Sequence, residues 1–272
     1  MNRNETSRLI NETGVVPKKS KGQNFLTDER VAQRHVDYAD IQKGDRVLEV
    51  GPGLGILTNL LVERSDDVTC IELDDILADY IEENYSGKVT LIRGDAMKVD
   101  FPPFDRFVSN LPYSISTPVI FKLLEYDFKK AVVMVQKEFA ERMVADVGLP
   151  DYSRLTVNMF YRADCRILET VPASRFKPRP KVDSALVEII PRPAPFKVID
   201  ERTFFKVTEV AFNHRRKKIG TSLRSAGMVD RGADLPFLDD RIETLTPEEI
   251  GQLADAVYRS RHCHSSSDLS KD

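Results

Sequence analysis

From about residue 45 to residue 136, short runs of β-branched and aliphatic residues alternate with stretches of helical periodicity. The strand-like runs are RVLEV, DVTCIEL, KVTLIRG, FDRFVSN and KAVVMVQ, and helices are predicted near 55–65, 74–84 and 117–125. Runs that are apolar on both faces and separated by helices are typical of a parallel sheet covered on each side. The pattern therefore predicts an α/β fold whose strand ends meet at one edge of the sheet.

The pattern changes at PRPAPF, residues 191–196, beyond which only helices are predicted. The last helix has Thr246 as its N-cap, Pro247 at its first position and Glu249 completing a capping box. Thr27 is predicted to cap an earlier helix. We expect a disordered N-terminus (1–16), a large α/β domain (17–192), a small helical domain (193–261) and a flexible tail (262–272).

The charge of the chain is unevenly distributed. The net charge of −3 argues, taken alone, against a nucleic-acid partner. Residues 175–224, however, carry 13 Lys or Arg and 5 Asp or Glu, a local excess of +8. This local excess of positive charge has two interpretations. It is either a positive surface that binds the phosphates of a nucleic acid or a charged surface that contacts only solvent.

The apolar runs are far shorter than a bilayer span, and the first residues do not resemble a signal peptide. Of the three cysteines, Cys70 and Cys165 show no metal-ligand spacing, and Cys263 lies in the C-terminal tail. We therefore expect a cytoplasmic protein that has no contact with a membrane and no bound metal. His262, Cys263 and His264 are interpreted as part of a frayed terminus.

The segment VLEVGPGLGILT joins the first of these strands to its helix through Gly51, Gly53 and Gly55. Glycines allow a sharp turn and the close approach of a ligand. A dinucleotide site has its third glycine where this chain has Ile56, so the pattern does not favour a pyrophosphate. Glu49 also argues against a pyrophosphate, because a carboxylate at this position repels phosphates and favours a cationic ligand.

Polar side chains end the next three strands: Glu72, Asp95 and Asn110. Glu72 stands where such folds place a carboxylate that binds a ribose, and Asp95 suits an exocyclic amine. Taken alone, each acidic residue is better explained as a helix cap or a turn residue. Together with Glu49 they predict a pocket for a nucleoside that carries a positive centre and no phosphates. S-adenosylmethionine is such a molecule.

Asn110-Leu111-Pro112-Tyr113 follows the fourth strand. The side-chain oxygen of Asn110 and a carbonyl at Leu111 or Pro112 could accept both hydrogens of a base amino group. Pro112 stiffens the backbone, and Tyr113 offers a flat face for the base. The alternative is a tight turn with a core tyrosine, and the predicted nucleoside pocket decides against it.

The chain resembles the ribosomal RNA adenine dimethyltransferases (the KsgA/Dim1 family), and in particular the small-subunit enzymes. The resemblance covers roughly residues 17–260 and is carried, in order, by KGQNFL, EVGPGLGILT, IELD, GDAM, NLPYSISTPVIFKLL, YSRLTV and FKPRPKVDSALVEI. It implies a Rossmann-like methyltransferase domain with a small all-helical C-terminal domain. It also implies N6 dimethylation of two adjacent adenosines near the 3′ end of small-subunit rRNA during ribosome biogenesis, with S-adenosylhomocysteine as the other product.

The resemblance also assigns site residues. Cofactor binding is expected at Gln23, Asn24, Leu26, Glu49, Gly51, Gly53, Gly55, Glu72, Leu73, Asp95, Ala96 and Asn110. The catalytic residues are expected to be Asn110, Leu111, Pro112 and Tyr113, with Tyr113 and Phe176 stacking on the target base. The alternative is that Phe176 is a core residue beside a proline-stiffened loop. RNA contacts are expected at Lys18, Lys19, Lys21, Lys177, Arg179, Lys181, Arg215, Arg216, Lys217, Lys218 and Arg224.

Three alternative functions share parts of this pattern. A resistance methyltransferase that acts on large-subunit rRNA shares the cofactor and the NLPY-like motif. The sequences of the segments YSISTPVIFKLL and FKPRPKVDS favour the small-subunit enzyme instead. A non-catalytic assembly or transcription factor on the same fold is disfavoured by the intact strand-end residues. A dehydrogenase fails on the glycine spacing. We expect a monomer that acts on small-subunit rRNA within the subunit or its precursor.

Overall fold

Residues 3–17 and 22–263 are described by a computed structural model of the chain. They form two compact units. The first comprises the chain up to Ala140 together with Asp164–Pro191, and the second comprises Glu141–Ala163 together with the chain from Arg192 onward. The sequence predicted one boundary near 192, whereas the second unit also includes 141–163.

The elements follow one another along the chain as α1 (Arg3–Thr13), β1 (Phe25–Leu26), α2 (Glu29–Ala39), β2 (Val47–Val50), α3 (Ile56–Leu61), β3 (Val68–Glu72), α4 (Asp75–Asn84), β4 (Thr90–Arg93), β5 (Arg106–Asn110), α5 (Ser116–Leu123), β6 (Lys130–Gln136), α6 (Lys137–Met143), α7 (Arg154–Arg162), β7 (Ala163–Val171), β8 (Phe176–Lys177), β9 (Ser184–Pro191), α8 (Glu201–Asn213), α9 (Ile219–Ser225) and α10 (Pro247–Cys263). Short 3-10 helices lie at Ala173–Arg175 and Ile242–Thr244.

The first unit is built on a seven-stranded sheet with the strand order β4-β3-β2-β5-β6-β9-β7. Strands β2 to β6 pair in parallel, and β9 runs antiparallel to β6. Every residue of β2 and β3 is buried, as expected for strands covered on both faces. The sheet confirms the predicted α/β fold. The strand order reverses at β2, so the carboxyl ends of β2, β3 and β5 frame a crevice there.

The helix after Thr27 begins one residue later than predicted. Asp28 is the N-cap of α2, and its Oδ1 accepts hydrogen bonds from Arg30 N at 3.0 Å and Val31 N at 3.3 Å. The Thr27 hydroxyl instead donates to the carbonyl oxygen of Arg175 at 2.9 Å. Asp28 was the better candidate because its carboxylate reaches the first free N–H groups of the helix.

The N-terminal residues that were predicted to be disordered contain helix α1 in the structure. Leu9 and Ile10 of this helix pack against a small cluster of buried side chains, formed by Val15, Phe25, Leu54 and Leu77. Two apolar residues give no sustained helical period, so the sequence pattern alone does not show that the segment has a packing partner.

The second unit is helical. The middle of its core is formed by Phe204 and Val207 of α8 and by Leu253 and Val257 of α10, all fully buried. Tyr161 of α7 packs on Phe204 with ring centroids 4.8 Å apart, which explains why the segment around α7 belongs to this unit. Past Pro191, the described residues contain helices and no strand, as predicted.

Helix α10 begins with the predicted capping box. Thr246 N donates to Glu249 Oε2 at 2.8 Å, and Glu249 N donates to Thr246 Oγ1 at 3.2 Å, which confirms the capping box. The helix continues to Cys263, two residues into the predicted flexible tail, and the rest of that tail lies outside the described residues. No helix in the described part of the chain is long and apolar enough to cross a membrane.

A buried histidine lies between α2 and the sheet. His35 is fully buried, and its Nε2 lies 2.9 Å from the carbonyl oxygen of Val132, to which it donates. Its Nδ1 has no hydrogen-bond partner. Burial lowers the pKa of His35 to about 4, although the bond to Val132 and the charge of Glu169 oppose this shift.

This burial makes the free energy of unfolding depend on pH. The unfolded chain protonates His35 as the pH falls below about 6.5, whereas the folded chain keeps it neutral down to about 4. The unfolded state therefore binds more protons between these values, and stability falls as the pH falls through that window.

We predict that His35→Gln, which keeps a donor for Val132, removes this part of the pH dependence. Between pH 7 and pH 4 the native chain should lose roughly 3 kcal/mol more than the variant, as measured by urea unfolding at several pH values. His214→Gln, at an exposed position of the second unit, is the control and should behave like the native chain. The same pH slope in His35→Gln would contradict the prediction.

Candidate active site

Two adjoining cavities lie at the crevice where the strand order reverses. The glycine-loop cavity is lined by residues 22–26, by the β2–α3 turn, by Glu49 and Glu72, and by Asn110–Tyr113. The strand-end cavity, of about 300 Å³, is lined by the ends of β3 and β4 and by Ser114 and Ile115. Gln23, Gly51, Glu72 and Pro112 line both cavities.

The glycine loop needs its glycines for two separate reasons. Gly51 has a φ of +72°, and a Cβ there would lie 3.4 Å from the Pro112 ring. Gly55 has a φ of +77°, and a Cβ there would lie 2.5 Å from the hydroxyl oxygen of Tyr85, which donates to Gly55 O at 3.1 Å. Backbone conformation therefore favours glycine at both positions, and at Gly55 the Tyr85 hydroxyl also leaves no space for a side chain.

The carboxylate of Glu72 connects the glycine loop to the end of β3. Its Oε1 accepts hydrogen bonds from Leu73 N and Asp74 N, both at 2.9 Å, and its Oε2 accepts one from Gly53 N at 3.3 Å. Burial raises the pKa of Glu72, and these three backbone hydrogen bonds oppose that shift. The side chain is thus fixed in one orientation where it lines both cavities.

Glu49 contributes a second buried carboxyl group. It is 1% exposed, and the Thr58 hydroxyl donates to its Oε2 at 2.7 Å. Burial raises the pKa of Glu49 to about 7, against the hydrogen bonds from Thr58 and Cys70. The group lines the glycine-loop cavity, so the charge of this cavity changes near neutral pH.

The described residues that line the two cavities include four acidic side chains, Glu49, Glu72, Asp74 and Asp95, and neither Lys nor Arg. A pyrophosphate would find no cationic side chain among them and several like charges. A ligand with a nucleoside and a positively charged centre fits both the carboxylates and the glycine turn. The lining residues therefore agree with a sulfonium cofactor and disagree with a dinucleotide.

Lysine 122 fixes the loop that carries Asp95. Its ammonium group donates to the carbonyl oxygens of Ala96 at 2.9 Å and of Val99 at 2.5 Å, and it lies 4.5 Å from the centre of the Phe101 ring. Within the loop, Met97 N donates to Asp95 Oδ1 at 2.9 Å. Lys122 belongs to α5, so the helix that follows Asn110–Tyr113 holds the wall of the strand-end cavity.

Asn110 ends β5 beside the glycine-loop cavity. Its Nδ2 donates to Asn24 O at 3.3 Å, and the next amide, Leu111 N, donates to Met134 O at 3.1 Å. The carbonyl of Pro112 accepts from Ile115 N at 3.0 Å and from Ser116 Oγ at 3.2 Å. Of the two carbonyls predicted to receive a base amino group, these bonds favour that of Leu111.

The structure brings together most of the residues that the sequence assigned to a cofactor. All of them except Gly55 line at least one of the two cavities, and Gly55 supports the turn through Tyr85. Leu111, Pro112 and Tyr113 line the glycine-loop cavity with Asn110.

The stacking role predicted for Phe176 is not supported by the structure. The residue is fully buried and belongs to the core cluster of the first unit. Its backbone pairs with Leu26 in the short β1–β8 ladder, and Leu26 is buried in the same cluster. No face of the ring is open to a base, so the core interpretation of Phe176 applies.

The residues predicted to contact RNA divide into several groups. Lys18, Lys19 and Lys21 lie outside the described residues. In the first unit, Lys177 donates to the Ser7 hydroxyl at 2.6 Å, whereas Arg179 and Lys181 are exposed. In the second unit, Lys218 pairs with Asp239 at 2.9 Å, and Arg216, Lys217 and Arg224 are exposed.

The prediction for Arg215 needs correction. Its guanidinium pairs with Glu243 at 2.5 Å and donates to the carbonyl oxygens of Pro150 and of Leu149, the latter at 2.9 Å. Its donors thus serve contacts within the second unit. These contacts form one wall of a concavity that Arg216 and Lys217 also line.

Sequence reasoning missed several residues of the site. Asp74, Leu54 and Leu77 line the cavities, and Lys122 and Tyr85 support their walls. Asp74 stands two residues after Glu72 at a helix start, which is a signal that could have been used. The contacts of Lys122 and Tyr85 join positions 23 to 30 residues apart, and no local pattern predicts them.

A family model described as "Ribosomal RNA adenine dimethylase" matches residues 16–256. The chain belongs to this family. Members with similar sequences include "Probable ribosomal RNA small subunit methyltransferase A" of Methanosarcina acetivorans, 42% identical over 87% of this chain and 92% of the relative. The protein of the same name from Methanothermobacter thermautotrophicus is 42% identical over 93% of this chain and 95% of the relative.

Solved structures agree with this membership of the adenine dimethylase family. A dimethyladenosine transferase from Plasmodium falciparum superposes with a TM-score of 0.72 at 31% identity, covering 84% of this chain and 95% of that one. The 23S rRNA methyltransferase ErmE superposes with a TM-score of 0.64 at 29% identity, covering 86% and 100%. The resemblance to rRNA adenine dimethyltransferases and the Rossmann-like fold are thereby confirmed, and the family implies S-adenosylmethionine.

We predict that Lys122→Met weakens the binding of S-adenosylmethionine about tenfold or more, because it removes hydrogen bonds from a charged donor to the loop that carries Asp95. The apolar stem is kept, but the loss of these hydrogen bonds should also lower the melting temperature by a few degrees. Affinity is measured by isothermal titration calorimetry. Lys98→Met, at an exposed position of the same loop, is the control. Unchanged affinity in Lys122→Met would show that the loop needs no anchor.

Proposed function

We propose that the chain transfers methyl groups from S-adenosylmethionine to N6 of two adjacent adenosines near the 3′ end of small-subunit rRNA, dimethylating both. The observation that carries this proposal is the acidic pair of cavities beside the Asn110–Tyr113 turn, in a member of the rRNA adenine dimethylase family. Relatives that are 42% identical to this chain over the aligned residues are named small-subunit methyltransferases.

Within the cavities, the residues have separate binding roles. Glu72 accepts the ribose hydroxyls, Asp95 accepts the adenine amino group, and Leu73, which is 54% exposed, covers the adenine ring. Gly51 lets the amino-acid end approach the backbone, and Asn24 lies over it from residues 22–26. When bound, S-adenosylmethionine supplies an electrophilic methyl group on a positively charged sulfur.

At the target base, the chain orients an amino group rather than deprotonating it. Asn110 already donates through Nδ2 to Asn24 O, which leaves its Oδ1 as an acceptor for one N6 hydrogen. The carbonyl of Leu111 accepts the other, and Tyr113 stacks on the ring. With both N–H bonds directed at acceptors, the nitrogen lone pair faces the methyl group. The N6–carbon bond forms as the sulfur–carbon bond breaks, and the nitrogen then releases a proton to water.

The remaining parts of the proposal concern partners. Arg179 and Lys181 in the first unit and Arg216, Lys217 and Arg224 in the second are proposed to contact RNA phosphates, which position the protein without reading sequence. The partner is the small subunit or its precursor, during ribosome biogenesis in the cytoplasm, and the protein acts as a monomer. The proposed transfer assigns no step to a metal. Among the described residues, no group of three His, Cys, Asp or Glu side chains could hold one.

The alternatives are not favoured. The large-subunit enzyme ErmE has the same fold at 29% identity, below the 42% of the small-subunit relatives. A non-catalytic factor would have no need of the Glu72 and Asn110 contacts, which are intact.

We predict that Glu72→Ala and Asn110→Ala separate binding from turnover. Glu72→Ala should weaken S-adenosylmethionine binding by tenfold or more, because the ribose and the Gly53 amide lose their acceptor. Asn110→Ala should lower kcat about a hundredfold with a smaller change in cofactor affinity, because it removes an acceptor for the reacting amino group.

The measurements are calorimetry for the cofactor and methyl incorporation into unmethylated small subunits. Glu63→Ala and Asn59→Ala, at exposed positions of the same unit, are matched controls that should change neither. An equal loss of cofactor affinity in both test variants would show that this division of roles is wrong. Methylation of large-subunit rRNA alone would favour the resistance-type enzyme.

We predict that the double variant Arg216→Ala/Lys217→Ala weakens RNA binding and lowers the slope of log affinity against log salt by about 0.7 to 0.9 for each phosphate that the protein no longer neutralises. The control is Lys197→Ala/Arg202→Ala, which removes two exposed charges near the other end of α8. Arg215→Ala should instead lower the melting temperature, because its contacts are internal. An unchanged salt slope in the Arg216/Lys217 variant would exclude this patch.

A further inference from the structure

The FKPRPKVDS segment, residues 176–184, reaches the site through a residue other than the one predicted. Phe176 is part of the core, but Ser184, at the other end of the segment, contacts the Asn110–Tyr113 turn. The Oγ of Ser184 lies 2.7 Å from the phenol oxygen of Tyr113, a hydrogen-bond distance at which either hydroxyl can donate. Ser184 itself is fully buried.

We propose that Ser184 is a positioning residue that holds the side chain of Tyr113 where the target base stacks on it. The inference rests on the proposed function and extends it, since it assigns a role in the transfer to a residue that does not itself touch the base.

The Ser184 hydroxyl is mounted on a rigid part of the first unit. Ser184 begins β9 and pairs with Gln136 at the end of β6. The preceding residue, Asp183, accepts a hydrogen bond from Lys137 N at its carbonyl (2.9 Å) and one from Ala173 N at its carboxylate (2.8 Å). The backbone on which the hydroxyl sits is therefore fixed by the sheet on one side and by a short helix on the other.

Tyr113, in contrast, belongs to a turn. Its backbone is held near Leu111, whose amide donates to Met134 O, and near Pro112, whose carbonyl accepts from Ile115 N. The aromatic ring is connected to that turn through two rotatable bonds and is half-buried. A hydrogen bond at the far end of the ring limits rotation about the Cα–Cβ bond, which would swing the ring away from the base.

The simpler alternative is that the bond only satisfies a buried hydroxyl. In that case Ser184→Ala would lower stability and leave methyl transfer unchanged. If the bond positions the ring, Ser184→Ala should lower the single-turnover rate of methyl transfer about fivefold to tenfold, as expected from one neutral hydrogen bond, and leave S-adenosylmethionine affinity unchanged.

A double-mutant cycle separates the two explanations. Tyr113→Phe keeps the ring and removes the hydroxyl, so it breaks the same bond from the other side. We expect Ser184→Ala, Tyr113→Phe and the double variant to lose similar amounts of rate, because each removes the same interaction. Ser65→Ala is the matched control, since Ser65 is also buried in the first unit and its hydroxyl donates to Asp45 O at 2.7 Å. It should lower stability only.

A second readout does not depend on the reaction. In protein labelled with ¹³C at the tyrosine phenol carbon, the Tyr113 signal is identified by its loss in Tyr113→Phe. It should shift in Ser184→Ala and stay in place in Ser65→Ala. Rate losses that multiply in the double variant, an unchanged rate in Ser184→Ala, or an unshifted signal would each overturn the proposal. If the native chain itself transfers no methyl groups to small subunits, the proposed function fails, and the positioning role in catalysis fails with it. The labelled signal then still shows whether the hydrogen bond between Ser184 and Tyr113 forms in solution.

Discussion

The site depends on a single buried carboxylate. Glu72 accepts hydrogen bonds from the amides of Gly53, Leu73 and Asp74, so it ties the turn after β2 to the turn after β3. Parallel strands bring their carboxyl ends to one edge, but they leave the loops there free to take many conformations. The three amides remove that freedom, and the glycine loop and the strand-end cavity keep a common wall. Burying the carboxylate costs free energy, which the backbone donors offset in part.

The parts of the site that follow from chain topology were predictable from sequence. The glycine spacing, Glu72, Asp95 and the Asn110–Tyr113 turn all sit at strand ends, and alternating patterns locate strand ends well. Contacts between side chains far apart in sequence were not predictable in this way. The resemblance assigned Phe176 to stacking, but Phe176 pairs with Leu26, 150 positions away in the chain, and is buried in the same cluster.

The same limit explains the other differences. Arg215 belongs to a basic run that suggested RNA binding, yet its partners near residues 149 and 243 occupy its donors. A basic run in the sequence shows where Lys and Arg side chains lie along the chain. The tertiary structure decides which of them remain able to bind RNA. Helix α1 shows the converse case. Its few apolar residues form no helical period that the sequence pattern would show. In the structure they nevertheless pack against the cluster that contains Phe25 and Leu54.

The state of Glu49 has a consequence for how the site meets its ligand. With a pKa of about 7, this buried carboxyl group is divided between neutral and ionised forms in the physiological range. A cation that settles beside it favours the ionised form and displaces the proton. Binding of a cation in the cavity is then linked to the release of a proton. The pH of the solution therefore sets part of the affinity for the cation without any change in the conformation of the protein.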